Sequence, residues 1–600
     1  MKFHINEDFE TKTGVISNSH GFLYRHLDTG FKTKWSGYWT PPYKFLDYYA
    51  IKINGIWLDR NTLKAVDYGE KITYHHETDT LYIKETIETP KTTEGFQIHI
   101  ETKNKTSDPK AVHIEIEPGI DIRRRDQNIS NNNYIQQKQP KELKIKSQQQ
   151  KLTIKTQKEF QLKGEPYNKT HYPGEKQKCY IPGKITLKKE LQPKRGKKTS
   201  LTFEALEDGQ IETIEEKSQE FLNNSFSHFF DASHSSLQNL VYTREETGIA
   251  AGHPWFQNFW GRDTFWSLLG LIDLGYFELS HQILENYADK EGFPTRIKLE
   301  GENEHHGGDE PPLFIIASSK LQKHYKISEK IEKKQKEAFK HLEMRDNKFV
   351  DHGADSSWMD TLERPAPNID IQSLWLKASN EKNKTKIASK LKEGLREFKK
   401  EDYLKDNLQN ENKKTINAAI PLMFGQFSQD DAKKYLDTLN GEFSSRYGAR
   451  TLSFTDPNHE PSGYHTGSVW GLTTGWAAIA NFNYGKHQQG KSYLEKFGKK
   501  VDEDQLGGFP ELVDAENGNS LGCSEQAWSA ALFTHAIDTH MLGIKPEDNK
   551  ILVEPSGPVT GTRKNKRIGD TEMSLRFNKG SVEVLDSPEK NIKVNDFDNH

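Results

Sequence analysis

The hydrophobic pattern of this 600-residue chain changes period once, near residue 210, and that change limits what each part can fold into. Before it, IKINGIWL, ITYHHETDTLYIKETIE, FQIHIETKNK and AVHIEIEPGIDI alternate apolar with polar residues at period two. Strands with one buried and one solvated face read this way, as in an antiparallel sandwich. Residues 141–200 hold sixteen lysines, yet KLTIKTQKEFQLKG and KITLKKELQ keep the alternation, which predicts a lysine-decorated outer sheet face. After it, TFWSLLGLIDLGYFELSHQILENYADK, IDIQSLWLKASNEKNKTKIASKLKEGLREFKKE, VWGLTTGWAAIANFNYGKHQQGKSYLEKFGKKV and EQAWSAALFTHAIDTHMLG have helical spacing. About 310 residues at roughly 26 per helix plus loop leave room for about twelve helices, the number in an (α/α)6 toroid. The pattern therefore predicts a multidomain chain in four parts. These are a β-sandwich-like antiparallel domain over 1–205, a helical linker over 206–235, an all-α (α/α)6 toroid over 236–545 and a small β tail over 546–600.

Composition removes several classes of function. Eighty-four basic residues against 87 acidic ones leave a net charge of −3, so no global field draws nucleic acid or an anionic membrane. Aromatic residues at 11% exclude wholesale disorder. Cys179 and Cys523 are too few for a disulfide scaffold or a cysteine zinc site. The opening MKFHINEDFE is charged where a signal peptide is apolar, which predicts a cytoplasmic protein. HHGGDE at 305–310 resembles a metal cluster, but adjacent His305 and His306 point apart on most backbones, so neither metal nor cofactor is expected.

In the helical part the chemically interesting residues fall in loops that precede helices. AGHPWFQNFWGRDTFWSLLGL carries Trp255, Trp260, Arg262 and Asp263, and DSSWMDTLERPAPNIDIQSLW carries Trp358 and Asp360. EPSGYHTGSVWGL carries His465 and Trp470, and GGFPELVDAENGNSLGCSEQAWSAA carries Glu511, Glu525, Gln526 and Trp528. One such loop is ordinarily a helix entry with a capping acid and a core tryptophan. Four at the same relative place suggest a shared mouth. Flat aromatic faces beside carboxylates suit sugars, whose rings stack while their hydroxyls need fixed donors and acceptors. Glycoside hydrolysis needs one acid to protonate the leaving oxygen and one carboxylate to activate water or attack carbon, and Asp360 and Glu511 supply such a pair.

Those four loops resemble the amylo-α-1,6-glucosidase domain of glycogen debranching enzymes. HPWFQNFWGRDTFWSLLGL is similar to that family's PWF–(D)WGRDT signature, and SSWMDT with IDIQSLW is similar to its TWMDA…EIQALW. GYHTGSVWGL and FPELVDAENGNSLGCSEQAWS resemble its AYHxGTVWPW and xSELFDG…GCxxQAWS, in family order across 249–532. The resemblance implies an inverting glucosidase that releases glucose from α-1,6 branch points of glycogen or a branched α-glucan. It implies Asp360 as general acid and Glu511 as general base. Trp260, Arg262 and Asp263 would hold the non-reducing glucose, with Trp358, Asp370, Gln372, His465 and Trp470 lining the pocket further. Trp255, Gln526 and Trp528 are the remaining substrate-binding candidates. Two departures bear on these expectations. HHGGDEPPLFIIASS replaces the family's DASLWF-like stretch, which leaves α-1,4 glucoamylase or trehalase-like activity as the alternative. Glu525 stands where the family carries an uncharged residue, which makes it the rival base. A non-catalytic glucan-binding protein is the remote alternative.

Overall fold

The computed structural model describes every residue except 1, 92, 128–132, 171–177, 206–218, 244–245, 411, 548–549, 588–590 and 598–600. Two units form: Met1–Ile214 with Tyr242–Glu246 and Glu503–Gly507, and Glu215–Val241 with Thr247–Asp502 and Gly508–His600.

The first unit is built from two antiparallel sheets. One has nine strands and runs from Phe3–Ile5 through Leu81–Glu88, Gly95–Asn104 and Gly196–Glu204 to Ile135–Gln139. The other has ten and centres on Lys110–Arg124 paired with Tyr43–Ile53. Period-two alternation becomes burial directly, since Leu81, Ile83 and Ile87 face in while Tyr82 and Lys84 face out. The stacked pair Phe96–Phe203, with centroids 4.6 Å apart, sits in the shared core. In the lysine-rich stretch Leu143, Ile145, Leu152 and Ile154 are buried while Lys146 and Lys155 are exposed.

The second unit contains twelve α-helices among the described residues: α1 Ser227–Asn239, α2 Gly261–Asp273, α3 Phe277–Ala288, α4 Glu310–Gln322, α5 Glu329–Lys340, α6 Ile369–Glu381, α7 Thr385–Leu395, α8 Ala419–Met423, α9 Gln429–Thr438, α10 Gly471–Asn483, α11 His487–Gly498 and α12 Ala527–His535. The even-numbered helices touch one another in cyclic order, α2–α4–α6–α8–α10–α12 and back to α2. They are buried nearly all round, whereas α5 and α7 keep one wet face, the distinction expected between enclosed and peripheral helices. Gly270 of α2 lies against the backbone of Ala531 in α12, where an added Cβ would collide with the Ala531 carbonyl.

The expected helical linker is corrected in part. Residues 206–218 lie outside the described ones, and Glu220–Leu222 is a strand rather than helix, paired antiparallel with Thr560–Ile568. Its QEFL sequence turns the apolar Phe221 inward between less buried neighbours, a two-residue rhythm too short to register against the charged run before it. Among the described residues of this stretch only α1 supplies α-helix. Beyond α12, Thr560–Ile568, Thr571–Asn578 and Ser581–Asp586 complete that sheet, and Ile544–Glu547, Lys550–Val553 and Ile592–Val594 form another.

The loop ahead of α6 is fixed by a buried ion network. Arg364, wholly buried, forks onto Asp370 (2.9 and 3.0 Å) and onto Asp406 (2.8 and 2.9 Å). Asp406 accepts from Asn417 (3.0 Å), whose amide oxygen accepts the Trp358 indole N–H at 2.7 Å. Arg364 and the two amide and hydroxyl donors hold the Asp406 carboxyl down at about 2 despite burial. A depressed carboxylate contributes stability above its unfolded pKa near 4 and loses it as pH falls through the folded value. Arg364→Leu would strand two buried carboxylates. Scanning calorimetry should show a loss of about 3–5 kcal/mol at neutral pH, and a loss under about 1 kcal/mol would mean the network is not what holds this loop.

Candidate active site

Four helix entries meet at one pocket. α2, α6, α10 and α12 start after Trp260, Asn368, Trp470 and Gln526, each with extended backbone and none making a side-chain cap. Instead of caps, two-residue strand pairs hold three of the entries. Phe259–Trp260 pairs with Arg296–Ile297, Val469–Trp470 with Leu512–Val513, and Glu525–Gln526 with Gly252–His253. Each pair ties one loop to another, so the side chains at the helix starts are aimed by backbone hydrogen bonds.

The pocket is lined by Phe256, Trp260, Arg262, Asp263, Trp358, Asp360, Tyr464, His465, Trp470, Glu511, Gln526 and Trp528, with Ala251. Ten of the sequence-predicted site residues are among them. Trp358 meets Trp470 edge-on (centroids 5.6 Å), and His465 stacks on Trp470 at 5.3 Å. The Trp470 indole N–H donates to the Tyr464 carbonyl at 2.8 Å, and Thr361 holds His465 Nδ1 at 2.7 Å. Burial beside Arg262 and Arg364 lowers His465 to about 3, so its ring is neutral at any ordinary pH. Among the described residues His465 Nε2, Gln526 Oε1 and Trp528 Nε1 are buried without partners. Unmet polar atoms on the walls of a pocket are the groups a hydroxyl-rich ligand would satisfy.

The carboxylates sit in contrasting places. Glu511 is 2% exposed; it accepts the Tyr464 hydroxyl at 2.5 Å and the Cys523 backbone N–H at 2.8 Å. Gly522 keeps that geometry possible, because a Cβ there would run into the Glu511 carboxylate. Burial raises Glu511 to about 7, against the two donors that lower it. Asp263 is driven higher, to about 8, by burial, which outweighs the opposing pull of Arg262; Gln526 donates to it at 2.8 Å. Asp360 is the exposed member, with its side chain 46% accessible, and Arg262 Nη1 stands 3.5 Å from it. Partial burial raises the Asp360 carboxyl above the ordinary range even with that guanidinium beside it.

Four predicted residues lie elsewhere. Asp370 is bound to Arg364, and Gln372 clasps the backbone of Val350 through its N–H (2.7 Å) and carbonyl (3.0 Å). Glu525 is buried, receiving Asn239 and contacting His253, each at 3.1 Å, and is not on the pocket wall. Trp255 is half-buried against Phe256. Sequence reasoning gave no site role to Asp309 or Glu310, and placed Tyr464 in the third loop without a role of its own. Asp309 holds Arg262 Nε at 2.6 Å, and Glu310, fully buried, is raised to about 8 by burial and by Asp309. A buried arginine demands a carboxylate partner, which was the available signal for Asp309; Tyr464 had its place beside His465. Cys523 is buried with its thiol pushed well above its usual value, so it is no nucleophile at neutral pH. Among the described residues no group of three or more His, Cys, Asp or Glu is arranged to hold a metal, and no helix is long and apolar enough to cross a membrane.

Comparison with known families adds a decisive observation: the family model described as amylo-alpha-1,6-glucosidase matches residues 232–535, just over half the chain. The chain belongs to the amylo-alpha-1,6-glucosidase family. That places it in a glycoside-hydrolase-like family of enzymes acting on glycans. The match covers all four loops of the pocket. No curated protein matches this member of the amylo-alpha-1,6-glucosidase family. Among solved structures, it is similar over 99% of its length to a candidate kojibiose phosphorylase from human microbiome, 96% of which is covered, at 11% identity and a TM-score of 0.63. That likeness is one of fold. A GH63 mannosylglycerate hydrolase from Thermus thermophilus, in complex with glucose, aligns over 51% of this chain and 99% of its own at 14% identity, with a TM-score of 0.42.

The Glu511 environment has a direct test. An infrared titration of carboxyl groups, differenced against Glu511→Gln, should reveal a group with a midpoint near 7. Removing its hydroxyl donor with Tyr464→Phe should move that midpoint to higher pH; no movement, or movement downward, would contradict the hydrogen bond's role.

Proposed function

We propose that this protein is an exo-acting glucosidase that releases glucose from α-1,6 branch points of glycogen or a similar branched α-glucan, by inversion, on an (α/α)6 toroid. The cyclic contact order of the even-numbered helices supports the toroid reading. The observation that carries the function is the division of labour between two carboxylates on one aromatic-walled pocket: Asp360 partly exposed, Glu511 at depth under a hydroxyl and an amide donor. An acid must reach the glycosidic oxygen, which lies toward solvent when the non-reducing sugar is inside. A base must hold a water against the buried face of the sugar.

In the proposed reaction the sugar ring rests between Trp260, Trp358 and Trp470, with hydroxyls meeting Asp263, Gln526 and His465. Asp360 gives its proton to the leaving oxygen as the C1–O bond breaks. Glu511 takes a proton from water as that oxygen bonds to C1 from the opposite face, so an α-linkage yields β-glucose. Asp360 must start protonated and Glu511 ionised. Burial raises the first, which favours its protonated form, and the Tyr464 and Cys523 donors favour the ionised form of the second. Arg262 lets Asp360 be ionised once its proton has gone. In this reading Glu525 is a support beneath the α12 entry, and the base is Glu511.

Purified protein should liberate glucose from branched limit dextrin and isomaltose-type substrates faster than from maltose or trehalose, and proton NMR of early product should show the β-anomer. Glu511→Ala should lose about 10²–10⁴-fold in turnover while folding normally, with azide restoring part of the rate on α-glucosyl fluoride. Glu525→Gln should keep measurable turnover. Preference for maltose or trehalose would change the linkage assignment, first-formed α-glucose would rule out inversion, and the reverse mutant pattern would move the base to Glu525. Binding of glucan without release of glucose would leave a binding protein.

A further inference from the structure

A larger cavity than the catalytic pocket lies where the same helices end. It measures about 420 Å³, against about 70 Å³ for the pocket, and is lined by residues at or near the carboxyl ends of α4, α6, α8, α10 and α12, together with Leu269 of α2 and Ile544–Pro546. The catalytic groups take no part in it.

Its walls combine cations with an apolar floor. Lys320, Lys323, Lys377 and Lys545 line it, beside Ile316, Phe424 and Ile544. Lys320 contacts Asp273 at 2.8 Å, and Lys323 and Lys377 share Glu381 at 3.0 and 2.7 Å. The Lys545 ammonium makes no hydrogen bond or ion pair with any described residue. Lys566 comes within 4.0 Å of Asp273, but it is committed to Asp538 at 3.0 Å. Four ammonium groups thus face Glu381 on the wall and Asp273 behind it, with Glu554 acting on Lys545 from further off. Helix carboxyl ends carry partial negative charge, which explains why lysines gather here. It does not explain an open void, nor His324, which is 8% exposed and has both ring nitrogens buried without a partner. An imidazole with neither nitrogen met, on the wall of a cavity, awaits a ligand.

We propose that this cavity is a second ligand site that takes a phosphate monoester, its dianionic head among Lys320, Lys323, Lys377 and Lys545 with His324 donating to it, and its compact, partly apolar body over Phe424 and Ile544. The excess of ammonium groups over carboxylates suits the −1.5 to −2 charge of a phosphate monoester at neutral pH, and its three acceptor oxygens suit several ammonium donors better than one carboxylate would. Burial and the neighbouring lysines depress His324 to about 3, so it is neutral and can present one N–H. The proposal is independent of what the catalytic pocket hydrolyses.

Phenyl phosphate, inorganic phosphate and phenol serve as probes, titrated calorimetrically into the full chain at low and high salt. Saturable one-to-one binding of phenyl phosphate is expected, weaker for inorganic phosphate, absent for phenol and reduced by salt. Lys545→Met and His324→Leu should each weaken it about tenfold or more, and Asp360→Asn should leave it unchanged. Thermal melts establish that the variants fold, with Lys545→Gln replacing any that does not. No saturable binding, binding indifferent to Lys545 and His324, or binding abolished by Asp360→Asn would each overturn the proposal.

Discussion

One guanidinium joins three helix entries. Arg262 stands in the first turn of α2, holds Asp309 at the cap of α4 at 2.6 Å, and approaches Asp360 on the loop before α6 at 3.5 Å. Fully buried, it cannot give up its charge, and the surrounding carboxylates raise its pKa further. Burying such a cation is costly unless carboxylates meet it, so with Arg262 in place the three loops are held together around it. The electrostatics of the site follow from this tie. Asp309 supplies the principal counter-charge, and Asp360 is reached only at longer range. That leaves Asp360 accessible and easier to protonate than a fully paired carboxylate.

The second consequence is a graded set of carboxyl groups in one small volume. Asp263 and Glu511 are buried and raised to about 8 and about 7; Asp360 is raised less securely at the rim. Groups this close titrate as a set, and each ionisation raises the next. Donors decide which member keeps its charge. Glu511 has a hydroxyl and a backbone amide, and Asp263 has a side-chain amide of Gln526 with Arg262 beyond it.

The parts legible in the sequence are those with a period. Strands before residue 210 and the long helices after it follow from spacing alone, because burial on one face repeats every two or 3.6 residues. The aromatic loops were legible by composition, and ten of their residues do share a pocket. What escaped has no period. The bridges Gly252–His253, Phe259–Trp260 and Glu525–Gln526 are two residues long, and their partners are far along the chain. Asp370 and Gln372 look like pocket residues because they begin a helix behind Trp358. Tertiary structure gives them to Arg364 and Val350, and of the two only Asp370 joins the chain of bonds that runs through Arg364, Asp406 and Asn417 to the Trp358 indole. Glu525 stayed a rival to the favoured Glu511 because both are acids in one glycine-rich loop. The difference is that one carboxylate faces a void and the other faces Asn239 and His253.

The helix arrangement also sets opposite electrical conditions at its two ends. Amino ends gather round the aromatic-walled pocket and carboxyl ends round the lysine-lined cavity, each end contributing about half a charge of fixed sign. For the proposed reaction the amino ends alone would be the wrong environment, since the transition state has oxocarbenium character and carries positive charge on the sugar. Glu511, the member that the proposed reaction needs ionised, reverses that sign locally, while the first backbone N–H groups of α2, α10 and α12 are taken by the carbonyls of Thr295, Glu511 and Ala251. At the far end the converse holds: carboxyl ends draw in lysines beyond what Asp273 and Glu381 can neutralise, and an anion is the species that this excess would hold.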